Sequence, residues 1–126
     1  MNESQPRIID CFIFDDELDL LEIRLQELSP YVDLFVLVEA DKTHSGQPKP
    51  YYYQDFKARF EKFNEKILQI KIEDLPVPTG SGDRVAEDYQ RNAIGDTIHY
   101  LHNQGNLKVD DIVLLSDVDE IPFMED

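Results

Sequence analysis

At 126 residues the chain is long enough for one hydrophobic core, and residues 1–126 are read as a single domain. Its 27 acidic and 12 basic residues leave a net charge of −15, which argues against nucleic-acid and anionic-membrane partners. A hydrophobic content of 41% is too high for a disordered acidic tail, and a lone cysteine, Cys11, excludes an internal disulfide and suggests a reducing compartment.

Ile8 to Phe14 is β-rich and apolar apart from Asp10, and reads as the first strand. Asp16 is the expected N-cap of the helix that follows, with Asp19 three residues later in a capping-box arrangement. Leu18, Leu21, Leu25 and Leu28 recur at helical spacing until Ser29-Pro30 stops them. Leu34 to Val38 is a continuous apolar run, expected as a strand covered on both faces and ending at Glu39. The stretch from Asp41 to Pro50 is dense in turn formers. Phe56, Phe60 and Phe63 fall at helical spacing within Gln54 to Glu65, which predicts a helix with all three rings in the core. Lys66 to Ile72 alternates, with Leu68, Ile70 and Ile72 on one face, as in a strand near a sheet edge. Pro76 to Asp83 reads as a flexible connection, Val85 to about His102 as a helix, and Lys108 to Leu115 as the last strand.

Strands alternating with helices predict an α/β fold with a mostly parallel sheet and helices on both faces. Ligands of such sheets bind beyond the carboxyl ends of the strands, where Asp15, Glu39, Asp117 and Asp119 emerge. No apolar run approaches the ~20 residues of a membrane span, and the first residues lack a signal-peptide pattern. The expectation is therefore a cytoplasmic chain with no membrane anchor.

The chemistry is concentrated in Ile112-Val-Leu-Leu-Ser-Asp-Val-Asp-Glu-Ile-Pro122. It reads as a buried strand delivering Asp117 and Asp119 at its end, both on one side with Val118 on the other. Carboxylate oxygens are hard ligands suited to Mg²⁺ or Mn²⁺, and a divalent ion there can bridge to nucleotide phosphates. The acidity of the chain sharpens this reading, since a pyrophosphate needs a cation or local basic groups to offset the repulsion. Glu39 is a candidate on the nucleotide side, with a plain surface acid as the rival. Arg91 has the guanidinium geometry for phosphate, with an ion pair to Glu87 or Asp88 as the rival. Glu120 is read as a supporting residue, Asp15 and Asp16 mainly as helix caps, and Tyr51-Tyr-Tyr53 as packing. His44 has no clustered Cys or His, so zinc is not expected, and Thr79-Gly-Ser-Gly82 lacks the Lys-Ser/Thr of a phosphate-binding loop.

Several segments in order resemble glycosyltransferase family 17. They are Ile9 to Arg24, Phe35-Val-Leu-Val-Glu39, Thr43 with Gly46-Gln-Pro-Lys-Pro50, Asp88-Tyr89 with Arg91, and Asp117-Val-Asp-Glu-Ile-Pro122. The resemblance implies a GT-A, Rossmann-like fold, a UDP-GlcNAc donor and a divalent ion such as Mn²⁺ (or Mg²⁺). It places Asp119 on the metal, Asp117 on the ribose or the metal's waters, and Glu39 and Arg91 near the nucleotide. The reaction it implies is inverting transfer to a hydroxyl of a glycan acceptor. The family's acceptor site and catalytic base lie after the Asp-x-Asp, so this chain is expected to correspond to the donor half, with the base beyond Asp126.

Two other readings are kept. A non-catalytic nucleotide-sugar-binding or interaction fragment would self-associate through the unpaired edge left by a central strand at Lys108–Leu115. A haloacid-dehalogenase-type phosphatase also uses Asp-x-Asp at a strand end, but on its first strand.

Overall fold

A computed structural model describes residues 6–43, 47–73, 85–105, 107, 111–118 and 120–121, with backbone alone at 85–87. The first strand, β1 (Ile8–Phe14), is buried at six of its seven positions. Helix α1 (Leu18–Leu28) turns Leu21, Leu25 and Leu28 inward, as their spacing requires. It leads to β2 (Leu34–Ala40). A short helix α2 (Tyr52–Asp55) and a 3₁₀ segment (Lys57–Lys66) lead to β3 (Ile67–Ile72). Helix α3 (Val85–Asn103) precedes β4 (Ile112–Asp117).

All strand pairs are parallel, in the order β3-β2-β1-β4. Phe12 and Phe14 of β1, Phe35 and Leu37 of β2, the α1 leucines, Tyr53, Phe60 and Phe63 form one core cluster, which Val118 joins. Ile9, Cys11 and Ile13 of β1, Val36 and Val38 of β2, and Ile94 of α3 form the other. Helices therefore cover both faces, as the alternating pattern predicts. The connections through α1 and through α2 carry the chain outward from β1 to β3. The α3 connection then returns it over the opposite face to the far side of β1.

Four expectations are corrected. The residue preceding α1 is Glu17, and no side chain caps the helix. Asp16 contributes its backbone carbonyl to Leu18 N–H, and its own N–H goes to Glu17 Oε1. The second strand continues past Val38, so Glu39 lies within it and is fully buried. The predicted Gln54–Glu65 helix is two pieces broken at Phe56 (φ −112°, ψ 26°), with a further non-helical residue at Phe60. The breaks put Phe60 and Phe63 in the core and leave Phe56 47% exposed. Finally, among the described residues β4 is an edge strand and is not buried. It pairs only with β1 in the described sheet, and Ile112, Val113 and Leu115 are exposed. Lys108 to Asp110 lie outside the described residues.

Candidate functional site

The order of the strands reverses between β1 and β4, because β2 and β3 lie to one side of β1 and β4 to the other. Such a reversal opens a crevice at the carboxyl ends of the two strands, because their connecting helices leave on opposite faces. Ile13 pairs with Asp117 in the β1–β4 register, so the crevice lies between Asp117 and the Asp15-Asp16-Glu17 turn. Of the acids expected beyond the strand ends, Asp15 and Asp117 flank this crevice.

Asp117 ends β4 with its side chain 47% exposed. Its N–H donates to Glu120 Oε1 at 2.8 Å, and Glu120 N–H returns to the Asp117 carbonyl at 3.0 Å. Glu120 thus closes the turn, as a supporting residue should. Val118, between the two acids, is buried in the α1-side core. Arg91 of α3 brings Nη2 to 4.0 Å from Asp117 Oδ1, with its side chain about one-third exposed at 35%. Two of the candidate residues are therefore adjacent. Asp119 lies outside the described residues, as do His44 and the Thr79–Gly82 loop. Carboxylate oxygens of Asp15, Asp16 and Glu17 lie within 4.8 Å of one another, a spacing compatible with one divalent ion.

Glu39 belongs to a different cluster, two strands from Asp117. Its carboxylate pairs with Lys49 Nζ at 2.7 Å and accepts from the N–H groups of Tyr52 and Tyr53 at 2.5 and 3.1 Å. Burial pushes its carboxyl above the usual range, opposed by Lys49 and the two amides. Lys49 also donates to the carbonyls of Ala40 and Pro50. The loop after β2 is thereby tied to the sheet, helped by Thr43 N–H to Gln47 O at 2.8 Å and a bridge between Lys42 and Pro48. Tyr51 bonds the Ile72 carbonyl and Tyr53 packs on Phe60, so these tyrosines serve packing.

Sequence reasoning missed the group beneath the acidic turn. Asp10, in the middle of β1, and Arg24 of α1 are both fully buried and form a two-pronged ion pair at 2.6 and 2.8 Å. Both carried a signal. A lone acid in a buried strand requires a counter-charge. Arg24 also falls three residues after Leu21 and four before Leu28, on the buried stripe of its helix.

A doubly wound parallel sheet with acids at its reversal point defines a Rossmann-like α/β domain. The chain belongs to glycosyltransferase family 17, whose model matches residues 1–126, and its architecture is the GT-A fold of such enzymes. It is 34% identical over 123 residues to the rat and human proteins named beta-1,4-mannosyl-glycoprotein 4-beta-N-acetylglucosaminyltransferase, and 33% identical to the mouse one. Each match covers 95% of this chain and 22% of the relative, so the chain spans about a fifth of their length. No solved structure matches it. Among the described residues, no helix is long and apolar enough to cross a membrane.

Proposed function

We propose that this chain forms the donor site of a metal-dependent glycosyltransferase that moves GlcNAc from UDP-GlcNAc to a glycan hydroxyl with inversion. The observation that carries the reading is the meeting of Asp117 and Arg91 at the point where the strand order reverses. The names of the relatives supply the sugar. Hard carboxylate donors at that edge fit Mn²⁺ or Mg²⁺, which Asp119 and Asp117 would hold and whose charge would offset that of the leaving diphosphate.

The chain's own residues do the rest. Asp117 is held by its backbone bonds to Glu120, so its carboxylate is presented without a large ordering cost. Arg91 would supply a forked donor for phosphate oxygens, and its Nη2 already lies 4.0 Å from Asp117 Oδ1. Glu39 serves the nucleotide side through the Lys49 loop it anchors rather than by an open carboxylate. The family match favours this reading over a phosphatase. A binding fragment without catalysis would share the same donor site.

Competition binding tests the donor assignment. With Mn²⁺ present, UDP and UDP-GlcNAc should displace a fluorescent UDP probe well below the concentrations of GDP or ADP required. Arg91→Ala should weaken both uridine ligands about 10-fold or more, as loss of a charged phosphate contact does. Equal competition by all nucleotides would remove the uridine assignment, and an unaffected Arg91→Ala would remove Arg91 from the site.

A further inference from the structure

We infer that Arg24 is the positioning residue of the Asp-x-Asp turn, its guanidinium fixing the turn's backbone so that the Asp117 carboxylate is preset for a cation and a diphosphate. The inference rests on the donor-site reading for its purpose, and on hydrogen bonds alone for its geometry.

Arginine has five N–H donors in a rigid planar fork. Here all five are used. Nε and one Nη2 proton go to Asp10, and Nη2 also donates to Ser116 Oγ at 2.6 Å. Nη1 donates to the carbonyls of Asp117 and Glu120, both at 2.9 Å, with the Val118 carbonyl at 3.3 Å. One side chain thus grips the backbone on both sides of position 119. The face of the Phe12 ring lies 4.6 Å from the guanidinium carbon and closes the remaining side.

The chemistry of the contacts matters. Arg24 takes the turn's carbonyl oxygens, whereas its charge is balanced by Asp10 below. The Asp117 carboxylate is therefore not consumed by the buried cation, and stays at the crevice with Arg91. A buried ion pair by itself is weak evidence for stability, since apolar residues of similar volume often do as well. An apolar pair, however, would take a donor from each of three carbonyls of this turn, leaving that of Asp117 with the Glu120 N–H alone among the described residues. Lysine would not substitute either: three donors from a point charge cannot pair with Asp10 and reach both ends of the turn.

The test compares the wild-type chain with Arg24→Lys and Ser116→Ala, at a temperature where thermal melts show each fully folded. Hydrogen exchange of the 116–121 segment reads the turn, and titration of Mn²⁺ alone, followed by its electron paramagnetic resonance signal, reads the site. Arg24→Lys should speed exchange in 116–121 while leaving β2 protected, and should weaken Mn²⁺ by about 10–100-fold, as loss of a ligand-orienting partner does. Ser116→Ala removes one contact and no buried charge, so it should fold even if Arg24→Lys does not. It should move both readouts in the same direction by less. Unchanged exchange and affinity in the folded variants would overturn the inference. Faster exchange in the variants, with no Mn²⁺ affinity in the wild-type chain to lose, would uphold the positioning role and overturn the donor-site reading instead.

Discussion

Cys11 sits on the α3-side face of β1 with no exposed surface, and burial, with Asp10 adding to it, pushes its thiol from 9.0 to about 12. The native chain should therefore resist iodoacetamide at pH 8 and react fully once unfolded by denaturant, which mass spectrometry would count; native modification would contradict this burial. The sign of the linkage follows from the raised value. The contribution of the neutral thiol is complete below pH 9 and is lost as pH rises toward 12, because only the unfolded chain ionises there. Lys49 against Glu39 is a second buried charge balance, and Lys49→Ala should cost about 3–5 kcal/mol in urea unfolding by leaving Glu39 unpaired. Arg59, which bonds Asp19 and Glu22 at the surface, should by contrast leave the midpoint nearly unchanged when replaced by alanine. Sequence spacing points directly to Asp117, and chain order puts Arg91 on the preceding helix. It does not reveal that Glu39 is enclosed, because that depends on a lysine ten residues along a folded loop.

The strands and the two long helices follow from periodicity, and their limits agree within a few residues. The segment between β2 and β3 does not, because tertiary packing overrides local spacing there. Phe60 and Phe63 reach the core only when the helix breaks, and the break turns Phe56 outward. Phe60→Ala should cost about 3–5 kcal/mol in chemical denaturation, and Phe56→Ala far less; equal losses would indicate the continuous helix that the spacing suggests. At α1, Asp16 has no capping bond through its side chain, so Asp16→Ala should leave thermal stability almost unchanged. A loss of about 1 kcal/mol would restore Asp16 as a cap.

Across the whole molecule, the reversal of strand order explains why acids distant in sequence share one edge. Asp15 and Asp117 are about a hundred positions apart, yet β1 and β4 are neighbours. That adjacency is what a linear reading lacks, since nothing in the local pattern says that the fourth strand returns beside the first. Among the described residues one flank of β4 is unpaired, and Ile112, Val113 and Leu115 are exposed. Pairing of two copies through this edge is the expected consequence. Sedimentation velocity should show mass rising with concentration, suppressed by Leu115→Lys, whereas a constant monomer would argue against it.

Calorimetric titration of UDP is the direct test of the donor site. It would be run with Mn²⁺ and with chelator, on the wild-type chain and on Asp119→Ala. Binding should need both the ion and Asp119. Heat of binding that persists in chelator, survives Asp119→Ala, or is absent under every condition would contradict it.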